Sequence, residues 1–414
     1  MSPSVLTSFP SDQTLFEQFS RDDDRGACSG AFKRVKLYHN PSSPSDADSV
    51  GTAAGASSCS SGDDPEALSR QNLPVDEDRT VRSDDDVGLV TAHQAPHEES
   101  DVSSSGTPEL LDDGYQYLPG STKLRRLLER SDRLIVCPGV FDGFSARVAM
   151  SVGFEGLYMT GAGTTASRLG MPDLAIAQLH DMREQAEMIC NLTPYGPPVI
   201  ADMDAGYGGP IMVAKAVQQY ARAGVAGFHI EDQILSKRCG HLKGKEVVDM
   251  NTFLMRIRAA KKAKDQIRSD IVLIARTDAL QTRGYDECIA RLKAARDLGA
   301  DVGILEGFTS KEQARQAVKD LAPWPLLLNM IENGASPLIS TQEAQEMGFR
   351  IMIFSLAALS SAYVAMKATF EKLKYEGVTG VPQHVTPKKL FEVVGLDEMR
   401  EIDEGAGGAA FSKV

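Results

Sequence analysis

Between residues 134 and 354 the chain alternates eight times between a short apolar or β-branched run and a longer stretch with helical spacing. The runs fall at 134–137, 156–159, 198–202, 227–230, 271–275, 302–305, 325–329 and 351–354. Near-continuous apolar strands are buried on both faces, and parallel strands need a crossover between them, usually a helix. The segments 211–223, 251–263, 285–298, 311–321 and 341–347 supply such crossovers, with Gly224, Gly299 and Gly348 as stops at or just beyond their ends. The period predicts an α/β chain folded as a (β/α)8 TIM-type barrel. An open doubly wound sheet shares this alternation, so strand count does not by itself prove closure. A helix at 122–129 precedes the first run, and extra C-terminal helices at 357–375 and 388–394 follow the last.

Composition places the remainder. Up to about Thr107, Ser, Asp, Gly and Pro dominate and apolar periodicity is sparse, so this stretch cannot bury enough surface to offset its ordering entropy. Residues 1–115 are therefore expected to form a disordered, acidic extension, 116–380 the barrel domain, and 381–414 a C-terminal helical extension and tail. A net charge of −13 disfavours nucleic acid and anionic membranes as partners. The cluster Lys261, Lys262 and Lys264 reads as the solvated face of a helix. No apolar run reaches the roughly 18 residues that span a bilayer. Asp12, Glu17 and the triplet Asp22, Asp23 and Asp24 leave no apolar core for a secretory signal and do not suit a basic transit peptide, so a cytoplasmic location is expected. The six cysteines show no CxxC clip, and reduced thiols are expected. Cys28, Cys59, Cys137, Cys190 and Cys288 sit in settings without visible chemistry, and Cys239 does not.

In a barrel the chemistry sits at the C-terminal ends of the strands. The polar residues following the eight runs are Asp142; Thr160 through Gly163; Asp202 and Asp204; Glu231 and Asp232; Arg276 and Asp278; Glu306; Asn329 and Glu332; and Ser355. So many acids on one rim would repel one another, and a divalent cation together with Arg276 is the simplest relief. Oxygen donors favour Mg2+ or Mn2+ over zinc. Asp202 and Asp204 leave one strand two residues apart, ahead of the turn-forming Gly206, Gly208 and Gly209; capping of the next helix is the plainer reading of such a pair. Cys239 is flanked by Lys237, Arg238 and His241, cations expected to favour its thiolate. His229 and His180, each without a visible catalytic partner, read as structural. Gly161-Ala162-Gly163-Thr164-Thr165-Ala166 matches a dinucleotide cradle, but the surrounding βαβ context is weak.

These motifs together resemble the isocitrate lyase and phosphoenolpyruvate mutase superfamily. The resemblance rests on Tyr158-Met159-Thr160-Gly161, Leu169-Gly170-Met171-Pro172-Asp173, the Asp202/Asp204 loop and His229-Ile230-Glu231-Asp232-Gln233. It also rests on Lys237-Arg238-Cys239-Gly240-His241, Ile274-Ala275-Arg276-Thr277-Asp278 and the segment from Asn329 to Pro337. Within that superfamily the chain is most similar to the fungal oxaloacetate acetylhydrolases. The resemblance implies that Asp202 and Asp204 hold Mg2+, with Asp173, Glu231 and Glu306 supporting its water shell. It implies that Tyr158, Thr160, Gly161 and Ala162 line a carboxylate pocket, and that Arg276 meets developing negative charge. Asn329 and Ser336 would hold the distal carboxylate, and Cys239 with Gly240 and His241 would lie on a gating loop, the thiol acting as acid/base.

The implied reaction is metal-dependent cleavage of a carbon–carbon bond in a small 2-oxo or 2-hydroxy dicarboxylate, foremost oxaloacetate to oxalate and acetate. The alternatives are retro-aldol cleavage of 2,3-dimethylmalate or methylisocitrate. Ser360 stands where methylisocitrate lyases carry an Arg for a third carboxylate, which disfavours a tricarboxylate. Leu338 and Ser355 depart from positions where relatives carry Ser and Pro. From other classes, phosphonopyruvate mutase or hydrolase chemistry is disfavoured by Cys239, and a catalytically silent barrel serving as a binding partner is the contrasting possibility. The resemblance also implies a homo-oligomer, a tetramer with exchanged C-terminal helices.

Overall fold

The computed structural model describes residues 117–130 and 133–414. The extension expected at 1–115, with Cys28 and Cys59, lies outside the described residues. All eight apolar runs form strands: β1 (Ile135–Val140), β2 (Leu157–Met159), β3 (Val199–Asp202), β4 (Gly227–Glu231), β5 (Val272–Thr277), β6 (Val302–Leu305), β7 (Leu327–Asn329) and β8 (Ile351–Phe354). They are parallel, in the order β6-β5-β4-β3-β2-β1-β8-β7. Gly303 of β6 forms a parallel bridge to Leu326 and donates to Pro325 O at 3.1 Å, which joins the two ends of that order. The sheet is a closed barrel, and the open doubly wound alternative is excluded.

The helices follow the expected order. α1 (Gly120–Glu129) precedes β1, and α2 (Gly143–Val152) follows it. After β2 come the single turn α3 (Gly161–Thr164), a π-helical turn (Thr165–Leu169) and α4 (Leu179–Cys190). Then α5 (Pro210–Ala223), α6 (Met250–Gln266), α7 (Leu280–Arg283), α8 (Tyr285–Asp297), α9 (Lys311–Leu321) and α10 (Thr341–Met347) separate the later strands. α11 (Ala357–Glu376), α12 (Pro387–Val393) and α13 (Leu396–Gly405) follow the barrel. Side-chain caps fix several starts: Asp249, Ser310 and Ser340 each accept from a backbone N–H three residues on. The three glycine stops all have positive φ. Among the described residues no helix is long and apolar enough to cross a membrane, and Cys137, Cys190, Cys239 and Cys288 are free thiols.

β1 outruns its apolar run by the most. β1 continues through Pro138 and Gly139, a pair that reads as a stop in sequence. Pro138 pairs with Phe354 of β8, whereas Gly139 pairs with Tyr158 of β2, so the strand changes partners at the proline.

Strand parity divides the core in two. Ile135, Cys137, Ile200, Val272, Ile274, Val302, Ile304, Leu327, Ile351 and Ile353 face the barrel axis and cluster with Leu124 of α1. The residues between them, such as Leu157, Met159, Ala201, Phe228, Leu273 and Leu328, pack outward against the helices. Leu124, fully buried, plugs the N-terminal end of the barrel, and Gly227 leaves it room. Leu124→Ala is expected to open a cavity in that plug and lower stability by about 2–5 kcal/mol, measured by urea unfolding.

Candidate active site

The inward phase that is apolar at the base becomes polar at the top. Two residues beyond Ile200 comes Asp202, and beyond Ile274, Ile304, Leu327 and Ile353 come Arg276, Glu306, Asn329 and Ser355; His229 and Glu231 share this phase on β4, and all seven are buried. Tyr158, Thr160, Ala162, Asp173, Asp202, Glu231, Cys239, Gly240, Arg276 and Asn329 line one cavity of about 30 Å³, together with Lys237 and Ser355. Three further expected residues stand directly behind this wall. Asn329 Nδ2 donates to both Glu306 oxygens at 3.1 and 3.2 Å, and His241 Nε2 lies 3.0 Å from Glu306 Oε1. Gly161 packs so closely that an added Cβ would sit 2.4 Å from Asp202 Oδ2. This approach accounts for the glycine of the apparent dinucleotide motif, which here closes over a carboxylate. Ser336 does not line the pocket and is half-buried on the segment after β7. Asp142 and Glu332 are also apart from it: Asp142 caps α2 through Ser145, and Glu332 is exposed.

Lys237 holds the acids together. Its ammonium pairs with Asp173 Oδ1 at 2.6 Å and with Asp204 Oδ1, and its side chain is only 4% exposed. Burial pushes Asp204 up to about 7 against the pull of Lys237, with Asp202 and Asp173 adding to the rise. Burial would raise Asp202 as well, but His229, Lys237 and Arg276 hold it below the usual carboxylate range. Burial raises Glu231 well above that range, and its buried Oε1 has no hydrogen-bond partner among the described residues.

This donor set fits a hard divalent cation. The available atoms are carboxylate oxygens, one of them an orphan, and Gly161 keeps the space beside Asp202 Oδ2 free of a side chain. Among the described residues no three His, Cys, Asp or Glu side chains already converge as ligands. The Lys237 ammonium stands between two of the carboxylates instead.

Cys239 is carried by a flap between β4 and α6. At its base Gln233 bridges Val247, Ile234 N donates to Glu246 O at 3.0 Å, and Val248 N donates to Asp232 O at 2.8 Å. At its tip Cys239 N donates to Asp173 O at 3.2 Å, and His241 Nδ1 accepts from Ala335 N at 2.9 Å. The flanking cations do not make this thiol a thiolate. Burial raises its pKa, and Lys237 is committed to carboxylates rather than to sulfur. Desolvation thus moves the thiol toward its protonated form.

His229 has partners that its setting in sequence does not show. Its Nε2 is 2.8 Å from Tyr158 Oη and its Nδ1 3.6 Å from Asp202 Oδ1, with the ring fully buried at the site's floor. Parity from Glu231 was the signal that placed it inward. His180, by contrast, is exposed on α4 beside Glu184.

Arg276 faces Glu231 at 3.2 Å and Glu306 at 3.9 Å, and is fixed by Asp278 at 2.8 Å. Lys245, fully buried, also donates to Asp278, at 2.8 Å. Burial alone would raise Asp278, but Arg276 and Lys245 hold it well below the usual carboxylate range. A depressed native pKa means that its stabilisation is in place above the ordinary aspartate range and is lost as acid protonates the group. Asp278→Ala is expected to leave buried Lys245 without its carboxylate and Arg276 without the pair that fixes it, and to cost about 3–5 kcal/mol at pH 7. In urea unfolding followed against pH, the variant's stability is expected to fall less steeply on acidification than that of the parent.

Comparison with known proteins identifies the family. The phosphoenolpyruvate phosphomutase family profile matches residues 124–374. The 2,3-dimethylmalate lyase of Eubacterium barkeri is 34% identical over 285 residues, covering 68% of this chain and 96% of that enzyme. A structure of oxaloacetate acetylhydrolase in complex with the inhibitor 3,3-difluorooxalacetate is 67% identical with a TM-score of 0.70, covering 70% of this chain and 98% of the other. A 2,3-dimethylmalate lyase structure is 61% identical with a TM-score of 0.70, covering 72% and 98%. A phosphonopyruvate hydrolase complexed with oxalate and Mg2+ is 26% identical with a TM-score of 0.60, covering 69% and 99%. The chain thus belongs to the isocitrate lyase/phosphoenolpyruvate mutase superfamily and is an enzyme of its lyase and hydrolase kind.

Proposed function

We propose that the chain cleaves the C2–C3 bond of a small dicarboxylate, with oxaloacetate as substrate and oxalate and acetate as products. The observation that carries this reading is a half-buried thiol lining one small cavity with Arg276, Asp202 and Glu231. That space is small for a four-carbon diacid, so the flap at 237–241 would open to admit substrate and close to exclude solvent. The 67% identity to an oxaloacetate acetylhydrolase supports the same substrate.

Ser355 offers an acceptor to a substrate hydroxyl, which the hydrate of oxaloacetate and the C2 position of 2,3-dimethylmalate both present. Ser355 Oγ donates to Asn329 Oδ1 at 2.6 Å, which leaves the oxygen's lone pairs to accept from a hydroxyl in the pocket. A hydrated 2-oxo group presents such hydroxyls, and a proline at this position would offer no acceptor. Ser360 is exposed and brings no cation for a third carboxylate, and Leu338 is 62% exposed and does not line the pocket.

In the reaction the hydrate loses a proton from one C2 hydroxyl as the C2–C3 bond breaks. The bonding pair passes to C3 and into the C4 carboxylate as an enediolate, beside the Arg276 guanidinium. Cys239 gives its proton to C3, forming acetate, and the proton released from the hydrate restores the thiol. The C1–C2 fragment leaves as hydrogen oxalate, which ionises in water. Asp202 and Asp204 would hold Mg2+ or Mn2+, with Asp173, Glu231 and Glu306 around them; when bound, the cation supplies Lewis-acid stabilisation of substrate oxygens. The second reading is a 2,3-dimethylmalate lyase, favoured by the 61% identical structure. There a single C2 hydroxyl loses the proton and a 2-oxo acid leaves.

Purified protein with Mg2+ is to be assayed on oxaloacetate, 2,3-dimethylmalate, methylisocitrate, isocitrate and phosphonopyruvate. Oxalate from oxaloacetate is the expected product, and turnover of none of the carbon acids would refute the proposal. Cys239→Ser is expected to lower kcat by about 10²-fold or more.

The C-terminal helices support a homo-oligomer. α11 runs for 20 residues with none buried, and its Tyr363, Val364, Phe370 and Tyr375 are all more than 60% exposed. An apolar face of this extent calls for a cover, and exchanged helices in a tetramer would provide it. Light scattering is expected to give a tetramer mass for the parent and a smaller species for Phe370→Asp/Leu373→Asp.

A further inference from the structure

The loop that carries Asp202 and Asp204 out of β3 uses backbone that few side chains adopt. Asp204 has φ 47° and Tyr207 φ 60°, and Gly206 between them has φ 84°. Left-handed backbone at non-glycine residues costs free energy and persists only where the surroundings hold it. Part of the hold is local: Asp204 N donates to Asp202 Oδ1 at 2.9 Å, Gly206 N to Met203 O at 2.9 Å, and Glu231 N to Asp204 O at 3.0 Å.

The rest comes from α5. Tyr220 is fully buried, and its Oη donates to Asp202 O at 2.8 Å. A phenol has one hydrogen, so Tyr220 accepts in its second bond, and Tyr207 Oη, 2.8 Å away, is the donor. The result is a one-way relay from Tyr207, at the far end of the loop, through Tyr220 to the backbone of Asp202, at its start. Neither phenol lines the reaction pocket. Tyr207 borders a separate cavity of about 120 Å³ that it shares with Asp204 and Lys237. Phenylalanine would fill the space of either ring, so the two buried hydroxyls are explained by the bonds they make.

We propose that Tyr220 and Tyr207 are positioning residues: their relay locks the left-handed loop and so sets the direction of the Asp202 and Asp204 carboxylates. The consequence for cation affinity rests on the metal reading given above; the locking of the loop does not.

Two measurements on the full chain test this, with Tyr220→Phe, Tyr207→Phe and the double variant. In metal-free protein, amide hydrogen exchange at 203–208 is expected to accelerate about tenfold in Tyr220→Phe and less in Tyr207→Phe, with peptides from β6 and β7 unchanged. Mn2+ affinity, read by electron paramagnetic resonance, is expected to fall about tenfold in Tyr220→Phe. The double variant should match Tyr220→Phe, because Tyr207 acts only through Tyr220. Unchanged exchange at 203–208, or acceleration spread evenly over the barrel, would overturn the relay. Wild-type protein that binds no Mn2+ would overturn the metal reading, while the exchange comparison still decides the relay.

Discussion

Six carboxylates are buried at the C-terminal ends of the strands or just beyond them: Asp202, Asp204, Glu231, Asp232, Asp278 and Glu306. Acids at this density cannot be taken out of water without cations among them. Lys237, Lys245, Arg276 and Arg291 are buried with them and each pairs with at least one of these acids, while buried Arg256 donates to the backbone carbonyls of Glu231 and Gln233. Much of what surrounds the pocket follows from that compensation. Lys245 and Arg291 are not idle core charges: one ties the flap to Asp278 and the other ties Asp232 to Val248 O at the flap's base.

The same compensation places the thiol. Because Lys237 reaches inward to Asp173 and Asp204, the chain beside it is drawn down over the pocket, and Cys239 N meets Asp173 O. The thiol therefore reaches the site partly desolvated, which raises its pKa. The proton-donor role proposed for it calls for a shift in that direction, and an exposed thiol among free cations would be pulled the other way. Gly240 follows for steric reasons, since an added Cβ there would lie 2.5 Å from Arg276 Nη2.

Much of this was readable from spacing. Eight apolar runs became eight strands, and most of the acids after them, though not Asp142 or Glu332, became the rim, because strand parity and the C-terminal location of barrel sites are general consequences of backbone geometry. Asp202, Glu231, Arg276, Glu306 and Asn329 were legible for that reason. His229 was not, although it stands two residues before Glu231 and so faces inward; a lone histidine in an apolar run gives no sign of the Tyr158 and Asp202 it meets. The two non-glycine left-handed residues of the carboxylate loop, Asp204 and Tyr207, carry no sequence mark either.

The sequence by itself determined the alternation, the parity of each strand and hence the set of side chains that can face the barrel axis. These are local properties of the chain. Only the tertiary structure decided closure, through the bridge from Gly303 to Leu326, and the pairings between residues far apart in the chain. It paired Lys237 with Asp173 and Asp204 rather than leaving it to lower the pKa of its neighbour Cys239, and joined Tyr220 to Asp202. Protonation and loop geometry depend on which charges and donors meet at a few ångströms, and that distance is set by the fold.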